Sequence, residues 1–213
     1  MNLTMDLPAP FAYPTSPNAR RHGPSGYKDY ADYKPFLRDD FIFRCAYCLE
    51  REAWYPDRVG SFSVDHFEPK VLNPSREQDY ENLIYACTRC NSQKQAKSVL
   101  IDPTVVAMAD HLRVTEEGLI EGLTPEGRDL IDLLDLADSP AVEVRQETFL
   151  LLKAKRQLPD HEIIHRLFLK KFGYPSDLPD LMRPKPPGGN SRPQGIRDSH
   201  HARRSRGELP EVY

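Results

Sequence analysis

Long apolar runs are missing from this 213-residue sequence, in which no stretch approaches 18 consecutive apolar residues. A membrane-spanning helix needs about 20 such residues, so we expect a protein that does not span a membrane. The first fourteen residues also lack a basic start followed by an apolar run, and we expect no secretory signal. The sequence therefore predicts a cytoplasmic protein.

A large excess of one charge is missing as well. The formal net charge is −3, which gives no sign of a polyanionic partner. The charge is nevertheless divided unevenly, because residues 116–147 contain ten acidic and two basic side chains. We expect this segment to face away from nucleic acid, since phosphates would be repelled. It is either a docking surface for a partner protein or a solvated acidic helix.

Cysteine is scarce, and its four copies form two Cys-x-x-Cys pairs, Cys45/Cys48 and Cys87/Cys90. In a reducing cytoplasm this pattern favours metal binding over disulfide bonds. Four thiolates from two tight turns suit a closed tetrahedral Zn²⁺ site. We expect one structural Zn²⁺ per chain. Four free buried thiols and a redox dithiol are the alternatives.

Polar side chains lie between the two cysteine pairs, at the ends of short predicted elements. Residues 62–64 alternate as in a strand and deliver Asp65 and His66 at its end. A second strand is predicted over 82–86, and Thr88 is the expected N-cap of a helix that runs to about Lys97. Such a strand–loop–strand–helix unit can bring side chains from its three elements to one place.

The chemistry of these side chains suits phosphodiester hydrolysis, which needs a cation to neutralise the phosphate and a base to deprotonate water. The carboxylate of Asp65 and the amide oxygen of Asn91 suit a hard cation such as Mg²⁺. The imidazole of His66 suits the base. Taken singly, His66 would be a core histidine, and Asn82 and Asn91 would be ordinary turn formers or caps.

The spacing Asp-His-x₁₅-Asn-x₈-Asn between two Cys-x-x-Cys pairs resembles the HNH endonuclease superfamily, which has the ββα-metal fold. The surrounding segments FRCAYC, VDHFEPK and YENLIYACTRCNSQK are similar to four-cysteine HNH proteins. These proteins include Septu-type and retron-associated anti-phage nucleases. The resemblance covers residues 27–103 well and the later chain more loosely.

The resemblance implies a DNA endonuclease that acts in defence against phage, with an ATPase as its partner protein. His66 would be the general base, and Asp65 and Asn91 would be ligands of Mg²⁺ or Mn²⁺. Asn82 would brace the loop and hold His66 in orientation. Asn91 stands where the family is named for a histidine, which favours these cations over zinc or nickel.

Four basic residues near these side chains are candidates for phosphate contact: Lys70, Arg89, Lys94 and Lys97. A solvated helix face is the alternative for them. The competing interpretation of the whole segment is a non-catalytic Cys₄ zinc module that binds nucleic acid or a partner protein.

The sequence as a whole predicts an α+β protein in four parts. An extended, proline-rich arm covers 1–26, and the zinc-stabilised ββα-metal module covers 27–103. A hairpin followed by three helices covers 104–182, and a disordered basic tail covers 183–213.

The segment His161-Glu162-Ile163-Ile164-His165 matches the H-E-x-x-H pattern of zinc proteases. His161 falls at a predicted helix start, and no third ligand is evident. We therefore expect Ile163 and Ile164 to pack and the pattern to bind no metal.

Overall fold

The computed structural model describes residues 7–55 and 57–213, so the first six residues of the expected arm lie outside it. It confirms a mixed α and β architecture with two separate antiparallel ribbons. The strands are β1 (Phe62–His66), β2 (Leu83–Cys87), β3 (Leu112–Val114) and β4 (Ile120–Gly122). The helices are α1 (Lys34–Asp40), α2 (Thr88–Lys94), α3 (Pro125–Leu134), α4 (Ser139–Gln157), α5 (Glu162–Phe172), α6 (Pro193–Arg197) and α7 (His200–Ser205).

The ribbon of β1 and β2 is the centre of the fold, and it confirms both predicted strands. Its register pairs Phe62 with Cys87 and His66 with Leu83. Phe62 stacks on Tyr85 at a centroid distance of 5.1 Å. All of β2 is buried, since α1 packs against it and α2 contacts both strands. A strand pair alone would be marginally stable, and the helices that cover this ribbon stabilise it.

Helix α2 starts directly at the end of β2 and is only seven residues long. Its N-cap is Cys87, whose sulfur accepts a hydrogen bond from the backbone N–H of Cys90 at 3.4 Å. Thr88, the expected cap, is instead the first helical residue. The helix ends three residues earlier than predicted because Gln95 adopts a positive φ of 51°.

The C-terminal hairpin and helices α3 to α5 follow the predicted order. Gly118 takes the positive φ of 81° that the turn between β3 and β4 requires. Thr124 caps α3 by accepting a hydrogen bond from the N–H of Gly127 at 3.1 Å. Arg145 of α4 is fully buried and donates to the backbone carbonyls of Gly118 and Leu136. None of the described helices has the length and apolarity that crossing a bilayer would require.

The segment 183–213 is ordered, so the prediction of a disordered tail is wrong. It forms α6 and α7 and pairs with the N-terminal arm through an antiparallel bridge between Pro24 and Asn190. The N–H of Ser191 donates to the carbonyl of Gly23 at 2.9 Å. Composition failed here because backbone pairing and hydrogen bonds to distant residues help to hold the segment.

Asp39 is the buried carboxylate on which the arm and the tail converge. One oxygen accepts from Nδ1 and the backbone N–H of His200, each at 2.8 Å. The other lies 2.8 Å from Nε2 of His22 and also accepts from Arg21. Burial alone would raise the pKa of Asp39, but these hydrogen bonds and the charge of Arg21 hold it well below its usual range.

The arm also contributes directly to the core, although it has almost no regular structure. Phe11 and Tyr13 are buried, and the Tyr13 hydroxyl donates to the carbonyl of Tyr47 at 2.8 Å. The division of the chain at residues 27, 104 and 183 stays a prediction.

We expect Asp39→Ala to lower the free energy of unfolding by about 3–5 kcal/mol, because it leaves the hydrogen-bond donors of Arg21, His22 and His200 without their acceptor. Chemical denaturation followed by circular dichroism measures this loss. Asp129→Ala, at an exposed position of α3, is the matched control and should change stability little. Equal stability of the two variants would contradict the structural role of Asp39.

Candidate active site

The four cysteines form a buried cluster that fits a metal ion. Their sulfur atoms all lie within 4.8 Å of one another, and those of Cys48 and Cys87 are 3.7 Å apart. A tetrahedral zinc ion with bonds of about 2.3 Å requires sulfur atoms about 3.8 Å apart. All four thiols are free of disulfide bonds. The cluster could therefore hold zinc.

Backbone hydrogen bonds form the first cysteine turn and dock it on β2. The N–H of Cys45 donates to the carbonyl of Glu50 at 2.8 Å, and that of Leu49 donates back to Cys45 at 3.1 Å. The N–H of Ala46 donates to the carbonyl of Tyr85 at 3.0 Å, which docks the turn on β2. The second pair lies where β2 becomes α2, so the cluster links the turn to the start of that helix.

A cleft of about 240 Å³ opens beside the end of β1, next to α2 and the loop that follows the strand. Its lining includes Asp65, His66, Lys70 and Asn91. The structure thus brings together three of the four predicted catalytic residues and one predicted phosphate contact. Asn82 lies behind the cleft, in the wall that supports it.

His66 is buried at the end of β1, and its ring is held from two sides. Nε2 lies 3.0 Å from the carbonyl oxygen of Glu77, which can only accept, so Nε2 carries the proton. Nδ1 therefore bears the lone pair. Tyr30 packs edge-on against the ring at a centroid distance of 4.6 Å. Burial lowers the pKa of His66, so the neutral imidazole predominates at pH 7.

Asn82 is buried and holds the loop that follows β1. Its Oδ1 accepts from the N–H of Glu68 at 2.8 Å, and its Nδ2 donates to the carbonyl of Glu68 at 3.0 Å. Nδ2 also lies 3.3 Å from the carbonyl of Arg76. The next residue, Glu77, is the one whose carbonyl holds His66. Asn82 thus supports the orientation of the imidazole through the loop.

Asp65 is buried, and both of its oxygens already have donors. The Tyr47 hydroxyl donates to Oδ2 at 2.7 Å, and the Lys94 ammonium donates to Oδ1 at 3.0 Å. Burial raises the pKa of Asp65, while the charge of Lys94 and these hydrogen bonds oppose the rise. A carboxylate offers about four lone-pair positions, so this one retains positions for a cation.

Asn91 faces β1 from the first half of α2. Its Nδ2 donates to the hydroxyl of Ser63 at 2.8 Å. Ser63 lies two residues before Asp65, so both side chains project from the same face of the strand. Because Ser63 takes the nitrogen of the amide, the oxygen is the atom that Asn91 offers to a cation. Asp65 and Asn91 together provide the oxygen donors that Mg²⁺ prefers.

The four predicted phosphate contacts separate into two groups. Lys70 lines the cleft, and Lys97 is exposed beyond the end of α2. The prediction that Lys94 contacts phosphate is wrong, because its side chain is 0% exposed. The same prediction for Arg89 is also wrong, since Arg89 forms an ion pair with Asp138 at 2.9 Å and donates to the carbonyl of Asp135. The early end of α2 and the packing of α4 explain both errors.

The sequence reasoning missed the residues that hold the site from behind, namely Tyr30, Tyr47, Ser63 and Glu77. Strand alternation would have placed Ser63 on the face of Asp65. The other contacts join distant segments, and no local pattern predicts them.

The H-E-x-x-H segment shows no sign of a zinc site. Nδ1 of His165 accepts from the Lys155 ammonium at 3.0 Å, and this positive charge would repel a cation. His161 is exposed at the N-cap of α5. Across residues 7–55 and 57–213, the cysteines are the one group of three or more cysteine, histidine or acidic side chains close enough to share an ion.

Comparison with known proteins agrees with this geometry. The family model described as HNH endonuclease matches residues 45–97, which include both cysteine pairs and the cleft. The chain is 31% identical over 100 residues to the Septu protein PtuB of Bacillus thuringiensis. That match covers 44% of this chain and 36% of the relative, so the chain spans about a third of the relative's length. Residues 45–97 are therefore similar to an HNH endonuclease domain.

Proposed function

We propose that this chain is a metal-dependent endonuclease that hydrolyses phosphodiester bonds of DNA. The observation that carries the proposal is the convergence of Asp65, His66 and Asn91 on one cleft, in a segment that matches an HNH endonuclease. A carboxylate, a neutral imidazole and an amide oxygen are the groups that metal-assisted hydrolysis requires.

His66 is the general base of the proposed reaction. Its Nε2–H is held by the carbonyl of Glu77, so Nδ1 accepts the proton of the attacking water. Tyr30 limits rotation of the ring by packing against it. Asn82 keeps the supporting loop, and with it the Glu77 carbonyl, in position.

Asp65 and Asn91 are the proposed ligands of the catalytic cation, and Mg²⁺ or Mn²⁺ suits their oxygen atoms. When bound, the cation supplies positive charge to the phosphate and the leaving oxygen. Ser63 and Tyr47 orient the two ligands through hydrogen bonds of 2.8 and 2.7 Å. Lys70 is the basic side chain that meets the phosphate backbone within the cleft, and Lys97 extends this surface.

The cysteine cluster is the proposed site of one structural Zn²⁺. It is buried and has four sulfur donors, so it offers no open position for substrate. Its role is to hold the first cysteine turn against the start of α2, beside Asn91. Thiols persist in a reducing cytoplasm, which is the compartment that the proposal requires.

Defence against phage, together with a partner ATPase, is the biological role that we propose from the similarity to the Septu protein. The acidic segment 116–147 is the proposed docking surface, because its charge is unsuited to DNA. A tagged chain expressed from its native locus should then co-purify with an ATPase. A stable monomer with full activity would contradict this role.

Zinc content provides the first test. We expect one zinc per purified chain, and Cys87→Ser should abolish zinc binding and cooperative thermal unfolding, because structural zinc contributes about 10 kcal/mol or more to folding. Mass spectrometry of the metal and differential scanning calorimetry measure these outcomes. Ser92→Ala, at an exposed position of α2, should retain both properties. Purified wild-type chain without zinc would refute the proposed site.

The second test separates an endonuclease from a non-catalytic zinc module that binds nucleic acid. His66→Ala should retain zinc and fold but reduce Mg²⁺-dependent nicking of supercoiled plasmid by about 10²–10⁴-fold, the usual contribution of a general base. EDTA should stop the wild-type reaction. His161→Ala, which changes an exposed histidine outside the cleft, should leave the rate unchanged. Undiminished cleavage by the His66 variant would disprove its role.

A further inference from the structure

Lys94 is a charged residue in the site whose side chain no solvent reaches. It is the last residue of α2 and is 0% exposed. Its ammonium donates to Oδ1 of Asp65 at 3.0 Å and to the carbonyl oxygen of His66 at 2.6 Å. A buried ammonium is tolerated only when it is paired and hydrogen-bonded, and Asp65 supplies that pairing. Lys94 therefore cannot contact the phosphate without leaving this position.

The negative charges beside His66 are both neutralised by lysine. Asp65 is paired with Lys94, and Glu77 is paired with Lys70 at 3.1 Å. Asn91, the other proposed ligand of the catalytic cation, is uncharged. Asp65 and Lys70 line the cleft, and the carbonyl of Glu77 holds the His66 ring, so both ion pairs lie at this cleft.

A neutral set of ligands attracts a divalent cation weakly. The affinity of oxygen sites for such cations rises with the number of charged ligands. The lone pairs that remain on Asp65 allow coordination, but the ammonium 3.0 Å from Oδ1 cancels the charge that would drive it. A phosphate group entering the cleft would bring the negative charge that the protein ligands lack.

We propose that Lys94 is a positioning residue that neutralises Asp65, so that the catalytic cation binds firmly only together with the phosphate of the nucleic acid. The inference rests on the proposed function and adds a coupling between the two ligands. Coupled binding is reciprocal, so the cation strengthens nucleic-acid binding by the same factor. The cleft then holds little cation until a substrate is present.

Binding of Mn²⁺ to zinc-loaded protein, followed by electron paramagnetic resonance, tests this coupling. The His66→Ala background prevents hydrolysis when a DNA duplex is added. We expect the duplex to raise the affinity for Mn²⁺ by about tenfold or more. Equal affinity with and without the duplex would overturn the inference.

Lys94→Met tests the origin of the coupling, because it removes the charge and retains most of the side-chain volume. It should raise the affinity for Mn²⁺ without DNA by about tenfold and reduce the gain from DNA. Lys94→Arg, which keeps the charge, should behave like the unchanged residue. Lys153→Met, at an exposed lysine of α4 outside the cleft, is the matched control and should have no effect on affinity without DNA.

Zinc content and circular dichroism verify that the Lys94 variants are folded. If Lys94→Met fails to fold, the Mn²⁺ affinity of the His66→Ala protein with and without the duplex still tests the inference. An unchanged or lower Mn²⁺ affinity in folded Lys94→Met would overturn the inference. Plasmid nicking by the chain with His66 intact distinguishes this result from failure of the proposed function. Cleavage without coupling refutes only the inference, whereas coupling without cleavage refutes only the endonuclease.

Discussion

The cysteine cluster determines where α2 begins, and the geometry of the cleft depends on that start. Cys87 ends β2 and caps the helix, and Cys90 lies one residue before Asn91. A hydrogen bond from Asn91 to Ser63 then closes the helix onto β1. A shift of α2 by one residue would rotate it by about 100° and remove Asn91 from the cleft. An ion bound by both cysteine pairs would therefore also fix the position of Asn91, the proposed ligand of the catalytic cation.

Hydrogen bonds from outside the cleft hold each proposed catalytic group. The Tyr13 hydroxyl donates to the carbonyl of Tyr47, and the Tyr47 hydroxyl donates to Asp65, so the arm supports the carboxylate through two steps. The loop held by Asn82 supports His66 in the same way. Such support keeps reacting groups in a productive arrangement without rearrangement during the reaction. The parts of the chain outside 45–97 thus contribute to the site without lining it.

The ends of the described chain illustrate where composition misleads. Residues 183–213 contain few apolar side chains, and that composition is typical of disorder. The segment is nevertheless ordered by the four donors that converge on Asp39 and by backbone pairing with the arm. The contacts of His200 with Asp39 and of Asn190 with Pro24 join residues more than 160 positions apart, so no local pattern predicts them.

The sequence by itself determined both strands of the central ribbon, the two cysteine pairs that could hold a metal ion, and the placement of Asp65, His66 and Asn91 on adjoining elements. These features follow from local spacing, since alternation and Cys-x-x-Cys turns act over a few residues. Only the tertiary structure decided that Lys94 points inward to Asp65. Helix α2 stops at that residue and packs on the ribbon, and a lysine there must bury its charge against a carboxylate. Whether a charged side chain faces solvent depends on what packs over it, and the local sequence does not contain that information.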